Sequence, residues 1–322
     1  MALLVTGAMG HVGYGVARAA AARGLQVIAQ YRSRYDERAA AALGPAVSWR
    51  RCEVTDAHEL ATLVAGGPID GCIHCAALPN ELLAQPAPGR AFEINVAAVQ
   101  RMLELARERG WRRFVLVSTG SVFQRWTDRG KAIRETDPAS PVNVYATTKH
   151  CAELLTAMYR NVYGLGAVAA RISWIYGPPL VPGGFDGPRG PIPYFLRRAL
   201  RGERVVEPSG GDFTASFTHV DDCVAGLLAL YQARALEHPL YHVGSGRNYT
   251  TFEVAAAVRA AVPGCALEVG PGSDPWTQST VIRGPLDCDR IRAEIGFAPR
   301  LTLEAGVAQF AAWMRANPGV LA

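Results

Sequence analysis

Although 49% of its 322 residues are apolar, the chain has no uninterrupted apolar run long enough to cross a bilayer, which takes roughly 20 residues. It has no block of five consecutive Lys or Arg, and its formal net charge is only +5. Nucleic acid and anionic membrane surfaces therefore have little to hold. Internal repeats and low-complexity tracts are missing. So is a basic region followed by a longer apolar stretch at the N-terminus, so the expected location is the cytoplasm. The seven cysteines are scattered and odd in number, which argues against a disulfide framework. One close pair, Cys72-Ile-His-Cys75, has redox or metal spacing, but no second pair completes a metal site. It lies in an apolar stretch that reads as a central strand, where neighbours alternate faces. These thiols and His74 are expected in the core, and no metal is expected.

What is present begins with Leu3-Leu-Val-Thr6, a short strand. It runs into Gly7-Ala-Met-Gly10-His-Val-Gly13, and Tyr14 to Arg23 reads as an Ala-rich helix. In this context the glycines have separate tasks: Gly7 allows the tight turn, Gly10 lets backbone approach a pyrophosphate, and Gly13 lets the helix pack close. The helix N-terminus then offers unpaired N–H groups to the anion. Dinucleotide binding is predicted. The next strand, Gln26 to Ala29, lacks the acidic residue that would hold the adenosine ribose about 20 positions after the loop. Tyr31 stands there, followed by Arg32 and Arg34. A guanidinium binds a 2′-phosphate in a fork, so NADP is favoured, with NAD possible.

The third strand, Val47 to Arg51, leads to Asp56 and Glu59, a capping-box spacing that starts a helix. Ile94 to Arg109 reads as one helix whose wide apolar band suggests burial on two sides. Phe114 to Val117 is continuous and apolar, as a buried parallel strand should be, and Ser118-Thr-Gly-Ser121 follows at its carboxyl end. In Tyr145-Ala-Thr-Thr-Lys149 the first and last residues are four apart, so on a helix they share a face. An ammonium beside a phenol favours the phenolate and lowers its pKa. That makes Tyr145 a candidate proton-transfer group at neutral pH.

The Gly-x-x-Gly-x-x-Gly spacing, the strand-end hydroxyl and Tyr-x-x-x-Lys, in that order, resemble the short-chain dehydrogenase/reductase superfamily. The length is similar to the extended branch, which includes NAD-dependent epimerases and dehydratases. The resemblance covers nearly the whole chain. It implies an α/β fold with a doubly wound parallel (Rossmann) sheet and a smaller, discontinuous C-terminal substrate lobe. The dinucleotide-binding domain would take residues 1–175 and about 219–244, and the substrate lobe about 176–218 and 245–322. It makes Thr119, Tyr145 and Lys149 catalytic, with Lys149 also on the nicotinamide ribose. Cofactor contacts would come from Gly7, Met9, Gly10, His11, Val12, Gly13, Tyr31, Arg32, Glu53, Val54, Cys75, Ala76, Ala77, Asn95, Tyr145, Lys149, Ile172 and Ser173. Glu53 would meet the adenine amino group with Val54 beside the ring, and Asn95 matches a buried asparagine near the active site. The family's paired helices imply a homodimer.

Departures from the family narrow the chemistry. Dehydratases carry Asp-Glu after the catalytic hydroxyl, whereas this chain has Gly120-Ser121. Nucleotide-sugar epimerases carry an Arg where Ala215 stands, a second in the region of Trp276-Thr-Gln-Ser279, and an Asn at Trp174. The expected substrate is a smaller sugar, lactone or hydroxy acid, with Arg125, Arg189, Arg247 and Arg283 as candidate carboxylate partners. A nucleotide-sugar epimerase is the alternative. A cofactor-sensing protein without turnover is third, and such relatives usually lose the Tyr or Lys.

Overall fold

Seven strands pair side by side at the centre of the computed structural model, which describes residues 1–179, 190–274, 276 and 281–321. They are β1 (Ala2–Thr6), β2 (Val27–Tyr31), β3 (Val47–Arg51), β4 (Ile69–His74), β5 (Arg113–Thr119), β6 (Ala167–Ile172) and β7 (Leu240–Val243). Their order is β7-β6-β5-β4-β1-β2-β3, and every pairing is parallel. A parallel sheet must be covered on both faces, and all seven residues of β5 are buried.

Alternation sorts the strand residues between two layers. Leu3, Val5, Ile73 and Val115 face Val16 and Leu227 of the helices His11–Ala22 and Val220–Gln232. Leu4, Cys72, Phe114 and Leu116 face Leu60, Met102 and Ala152 of the helices Ala57–Ala65, Ala98–Glu108 and Val144–Tyr163. Cys72 and Cys75 thus join opposite layers. Both thiols are free, and no metal-holding group of His, Cys, Asp or Glu exists among the described residues. A third core lies apart from the sheet and includes Phe195, Phe213, Val254, Val307 and Phe310. We propose it as the centre of the second lobe. Asp222 joins the two regions by accepting from the Arg300 and Leu301 N–H groups at 2.9 and 3.0 Å.

Three element boundaries differ from the sequence reading and matter for the site. The first helix begins at His11, directly after Gly10. β5 extends through Thr119, which places that hydroxyl on the last residue of a strand. The helix read as Ile94 to Arg109 starts with a π-helical turn, Glu93–Ala97, before the α-helix Ala98–Glu108. A π turn holds an extra residue and shifts the face that follows, and it lets Ile94, Asn95 and Val96 all be buried. Asp56 caps its helix by accepting from the His58 and Glu59 N–H groups. The box is not reciprocal, because the Glu59 carboxylate accepts from the Glu53 N–H at 2.8 Å.

Candidate functional site

Parallel strands bring all their carboxyl ends to one edge, and the strand order reverses between β1 and β4. An open α/β sheet binds its ligand at such a switch point. The glycine loop leaves β1 here. Gly7 has φ +63°, and a Cβ on it would come within 2.9 Å of the Ala76 backbone. A Cβ on Gly13 would come within 2.3 Å of the Gly7 carbonyl oxygen. Both glycines are therefore demanded by close backbone approach. Gly10 is exposed and caps the helix without any side-chain bond, and the first turn has no acidic residue. That leaves a helix N-terminus suited to an anion.

Two residues lock this loop. Gln30, 2% exposed, accepts the Gly7 N–H at 2.8 Å and donates to the Cys52 carbonyl at 2.5 Å. Thr6 Oγ1 accepts from the Cys75 and Ala76 N–H groups at 3.1 and 3.2 Å. Its own hydrogen is then free for His74 Nδ1, 2.9 Å away. Burial, with Lys149 adding, pulls His74 down to about 3, so the ring is neutral and holds strand ends together.

Most of the remaining cofactor candidates are engaged by contacts within the chain. Met9 is buried against Tyr14, with Tyr31 packed on the same cluster. Val12 packs on the sheet, and His11 Nε2 donates to the Gly177 carbonyl at 2.7 Å. Tyr31 ends β2 and stacks on Tyr35 at 4.8 Å, while Arg32 is exposed just beyond. Val54 is core. Glu53 is drawn away from a purely ligand-facing role. Burial raises its pKa, but the Thr55 hydrogen bonds and Arg90 outweigh this and hold it low. Its oxygens accept from Thr55 N–H at 3.2 Å and Arg90 at 2.8 Å. Asn95 acts as a strut: it exchanges hydrogen bonds with the Leu78 N–H and carbonyl and donates to Thr148 Oγ1 at 3.0 Å. Thr148 in turn donates to the Tyr145 carbonyl.

On the other side of the switch point, Thr119 lies in register with Ile172 at the ends of β5 and β6. Its hydroxyl accepts from the Ser121 N–H at 3.1 Å. Ser173 follows and lines a cleft with Trp174, Thr214, Ser216, Asn248 and Arg283. Trp174 holds φ +42°, a value that is ordinary for glycine and costly for a bulky side chain.

The Tyr145 helix, Val144–Tyr163, is started by Asn143, whose side chain accepts from the Ala146 N–H, and is ended by Gly164 at φ +66°. Tyr145 is half-buried and Lys149 is 2% exposed. Burial pulls Lys149 down to about 8, opposed by Glu153 and Cys75. Lys149 is one of only two lysines in the chain. Among the described residues its ammonium has no hydrogen-bond partner, a costly state for a buried cation. One further turn on, Glu153 is bound by Arg171 through Nε at 2.9 Å and Nη2 at 2.7 Å. Ser118 Oγ donates to it at 2.6 Å and His150 Nδ1 at 3.1 Å. Burial would raise its pKa, but Arg171, His150 and Ser118 bring Glu153 to about 2. The sequence reading missed Gln30, Glu153 and Arg171. A charge inside the apolar run of β6 was the available signal, since it requires a partner.

A Rossmann sheet, a glycine cradle at its switch point and a Tyr–Lys helix beside a strand-end hydroxyl define an enzyme of the extended short-chain dehydrogenase/reductase superfamily. The model of the NAD dependent epimerase/dehydratase family matches residues 3–244, and the chain belongs to that family. A dTDP-glucose 4,6-dehydratase of Actinoplanes sp. is 31% identical over 87% of this chain and 83% of its own length. A dTDP-4-dehydro-6-deoxy-D-allose reductase of Streptomyces sp. is 29% identical over 97% of this chain and 96% of its own. The UDP-glucose 4-epimerase of Thermus thermophilus, solved in complex with NAD, is 27% identical with a TM-score of 0.83, covering 98% of this chain and 99% of that one.

The clamp yields a test. Glu153→Ala leaves Arg171 buried and unpaired and should lower the unfolding free energy by about 3–5 kcal/mol. Adding Arg171→Met should recover much of that loss in urea titrations. A double variant as unstable as Glu153→Ala would show that the pair is not the source.

Proposed function

We propose that this chain is an NAD(P)-dependent oxidoreductase acting on a small hydroxyl or keto substrate (a sugar, lactone or hydroxy acid) with Tyr145 as acid/base. The observation that carries this reading is the buried Lys149 ammonium, unpartnered among the described residues, one turn from Tyr145. A bound nicotinamide supplies the hydride acceptor or donor. The glycine loop would hold its pyrophosphate, and Lys149 would donate to its ribose. With its pKa near 8, Lys149 keeps its charge at neutral pH and favours the Tyr145 phenolate. Tyr145 takes the proton from a substrate hydroxyl, or returns it to a carbonyl oxygen. Thr119 donates to that same oxygen and orients it.

The site residue after the hydroxyl supports hydride transfer over elimination. Gly120 brings no side chain to that place, where Leu286 and Arg283 lie 3.2 and 3.3 Å from the position of a Cβ, so the acid that elimination uses is absent there. The Streptomyces reductase is a relative with net redox chemistry by its name. Nucleotide-sugar epimerisation is the second reading, favoured by the Thermus structure. Against it stand Ala215 and Trp174 in place of the family's Arg and Asn. Arg189 and Thr277 to Ser279 lie outside the described residues.

For the cofactor we favour NADP, because Tyr31 leaves no carboxylate at the end of β2 and Arg32 and Arg34 are exposed beyond it. NAD, present in the Thermus neighbour, is the other candidate. We further propose a homodimer through the Tyr145 helix. Its residues Leu154, Met158 and Val162 are exposed, and their spacing of four makes them one apolar stripe.

A screen of alcohols, sugars and sugar acids with both cofactors, followed at 340 nm, should find a substrate. Tyr145→Phe should then cut kcat by roughly 100-fold or more while dinucleotide binding persists; unchanged turnover would remove Tyr145 from the chemistry. Substrate conversion with no net absorbance change would favour the epimerase. Arg32→Ala should weaken NADP more than NAD, and equal losses would reject a 2′-phosphate contact. In sedimentation the native protein should run as a dimer and Leu154→Glu/Val162→Glu as a monomer. A native monomer would end the dimer proposal.

A further inference from the structure

The cleft beside Thr119 contains a cation that none of the described residues neutralises. Arg283 is half-buried and lines the cleft with Ser173, Trp174, Thr214, Ser216 and Asn248. Its guanidinium has no ion pair or hydrogen bond among the described residues. Three other inward arginines are matched: Arg171 by Glu153, Arg290 by Glu135 at 3.6 Å, and Arg113 by the Gly166 and Ala233 carbonyls. Burial is the sole influence on the Arg283 pKa and pulls it down to about 10, so it stays charged. A charged group in that position gains most from an anion that arrives with a ligand.

Its location is also held. Asn248 Nδ2 donates to the Arg283 carbonyl at 2.7 Å, and Ser216 Oγ donates to Asn248 Oδ1 at 2.7 Å. The next residue, Gly284, is pressed against the Lys131 carbonyl so closely that a Cβ would sit at 1.8 Å. Two bonds then lace the segment to Ile133: its N–H donates to the Pro285 carbonyl at 2.7 Å, and Asp287 N–H donates to its carbonyl at 2.8 Å. One guanidinium nitrogen lies 3.3 Å from the Cβ that Gly120 lacks. Gly120 directly follows Thr119, so the cation stands at the end of β5 that carries the hydroxyl assigned to the reacting oxygen.

We propose that Arg283 binds a carboxylate carried by the substrate itself, close to the reacting carbon, which makes the substrate class a sugar acid or hydroxy acid. This rests on the oxidoreductase reading above and narrows it. The hydroxyl groups of Ser173, Thr214 and Ser216 around the cleft suit the remaining hydroxyls of such a molecule.

Calorimetric titration of the NADP-loaded and NAD-loaded enzyme tests this with D-galacturonate and D-gluconate, their neutral counterparts D-galactose and D-glucose, and UDP-glucose. The acids should bind at least tenfold tighter than the neutral sugars. Arg283→Met should erase that margin, a loss of roughly tenfold or more in acid binding as the charge-assisted bonds are removed. Arg283→Lys should keep part of it, because the charge stays and the fork is lost. Unchanged dinucleotide binding shows that both variants are folded. Equal binding of acid and neutral sugars, or a margin that survives in Arg283→Met, overturns the proposal. UDP-glucose binding tighter than the acids and depending on Arg283 also overturns it, since the anion would then be a nucleotide phosphate. Turnover at 340 nm separates the two readings. Oxidation of neutral sugars alone leaves the oxidoreductase standing and removes the carboxylate. Arg283-dependent binding of acids without any hydride transfer does the reverse.

Discussion

The Glu153 carboxylate, buried between the Tyr145 helix and the sheet, decides where the helix sits. Arg171 on β6 grips it in a fork, and Ser118 on β5 donates from the neighbouring strand. Buried charges tolerate this only when the geometry is good and the remaining lone pairs are used. Here four donors reach two oxygens, and the carboxyl is driven to about 2. Because Tyr145, Lys149 and Glu153 are successive turns of one face, a clamp on the third fixes the height and rotation of the first two. Glu153 also opposes the burial that draws Lys149 down, so the same carboxylate helps keep the ammonium charged.

The dinucleotide side is built on a different principle. Its rigidity comes from backbone approach and neutral hydrogen bonds. Gly7 and Gly13 admit contacts that any Cβ would block, and Gln30 and Thr6 pin the loop to β2, β3 and β4. His74 stays neutral there, next to a lysine that must stay charged. The two sides meet at the carboxyl edge between β1 and β5, a separation of two strand spacings, about 10 Å. A dinucleotide bound as proposed would extend along that edge. Trp174 packs on the third core and lines the cleft together with Arg283 and Asn248.

Much of this was legible in the residue order, for a local reason. Strand, glycine loop and helix follow one another directly, and each glycine's need can be stated from its neighbours. Tyr145 and Lys149 are four apart, and helical geometry alone places them together. Apolar runs mark β1 and β5 to within a residue or two. The π turn before Ala98 is not legible, because an added residue in a turn leaves no compositional trace. Glu53 suits an adenine contact by its place in the sequence, yet Arg90, 37 positions away, takes one of its oxygens. Asn95 is buried as its position in the motif order suggests, but its amide is occupied holding Leu78 and Thr148.

Sequence by itself placed Tyr145 and Lys149 on one helix face, through the period of 3.6, and its motifs in their order pointed by family resemblance to a parallel α/β architecture. Only the tertiary structure decided which buried charges have partners. Glu153 finds Arg171 and Ser118, while Arg283 finds none among the described residues. Pairing depends on distances between residues 18, 35 or more positions apart, and no local rule sets those distances. They are set by how the helices and the third core settle on the sheet.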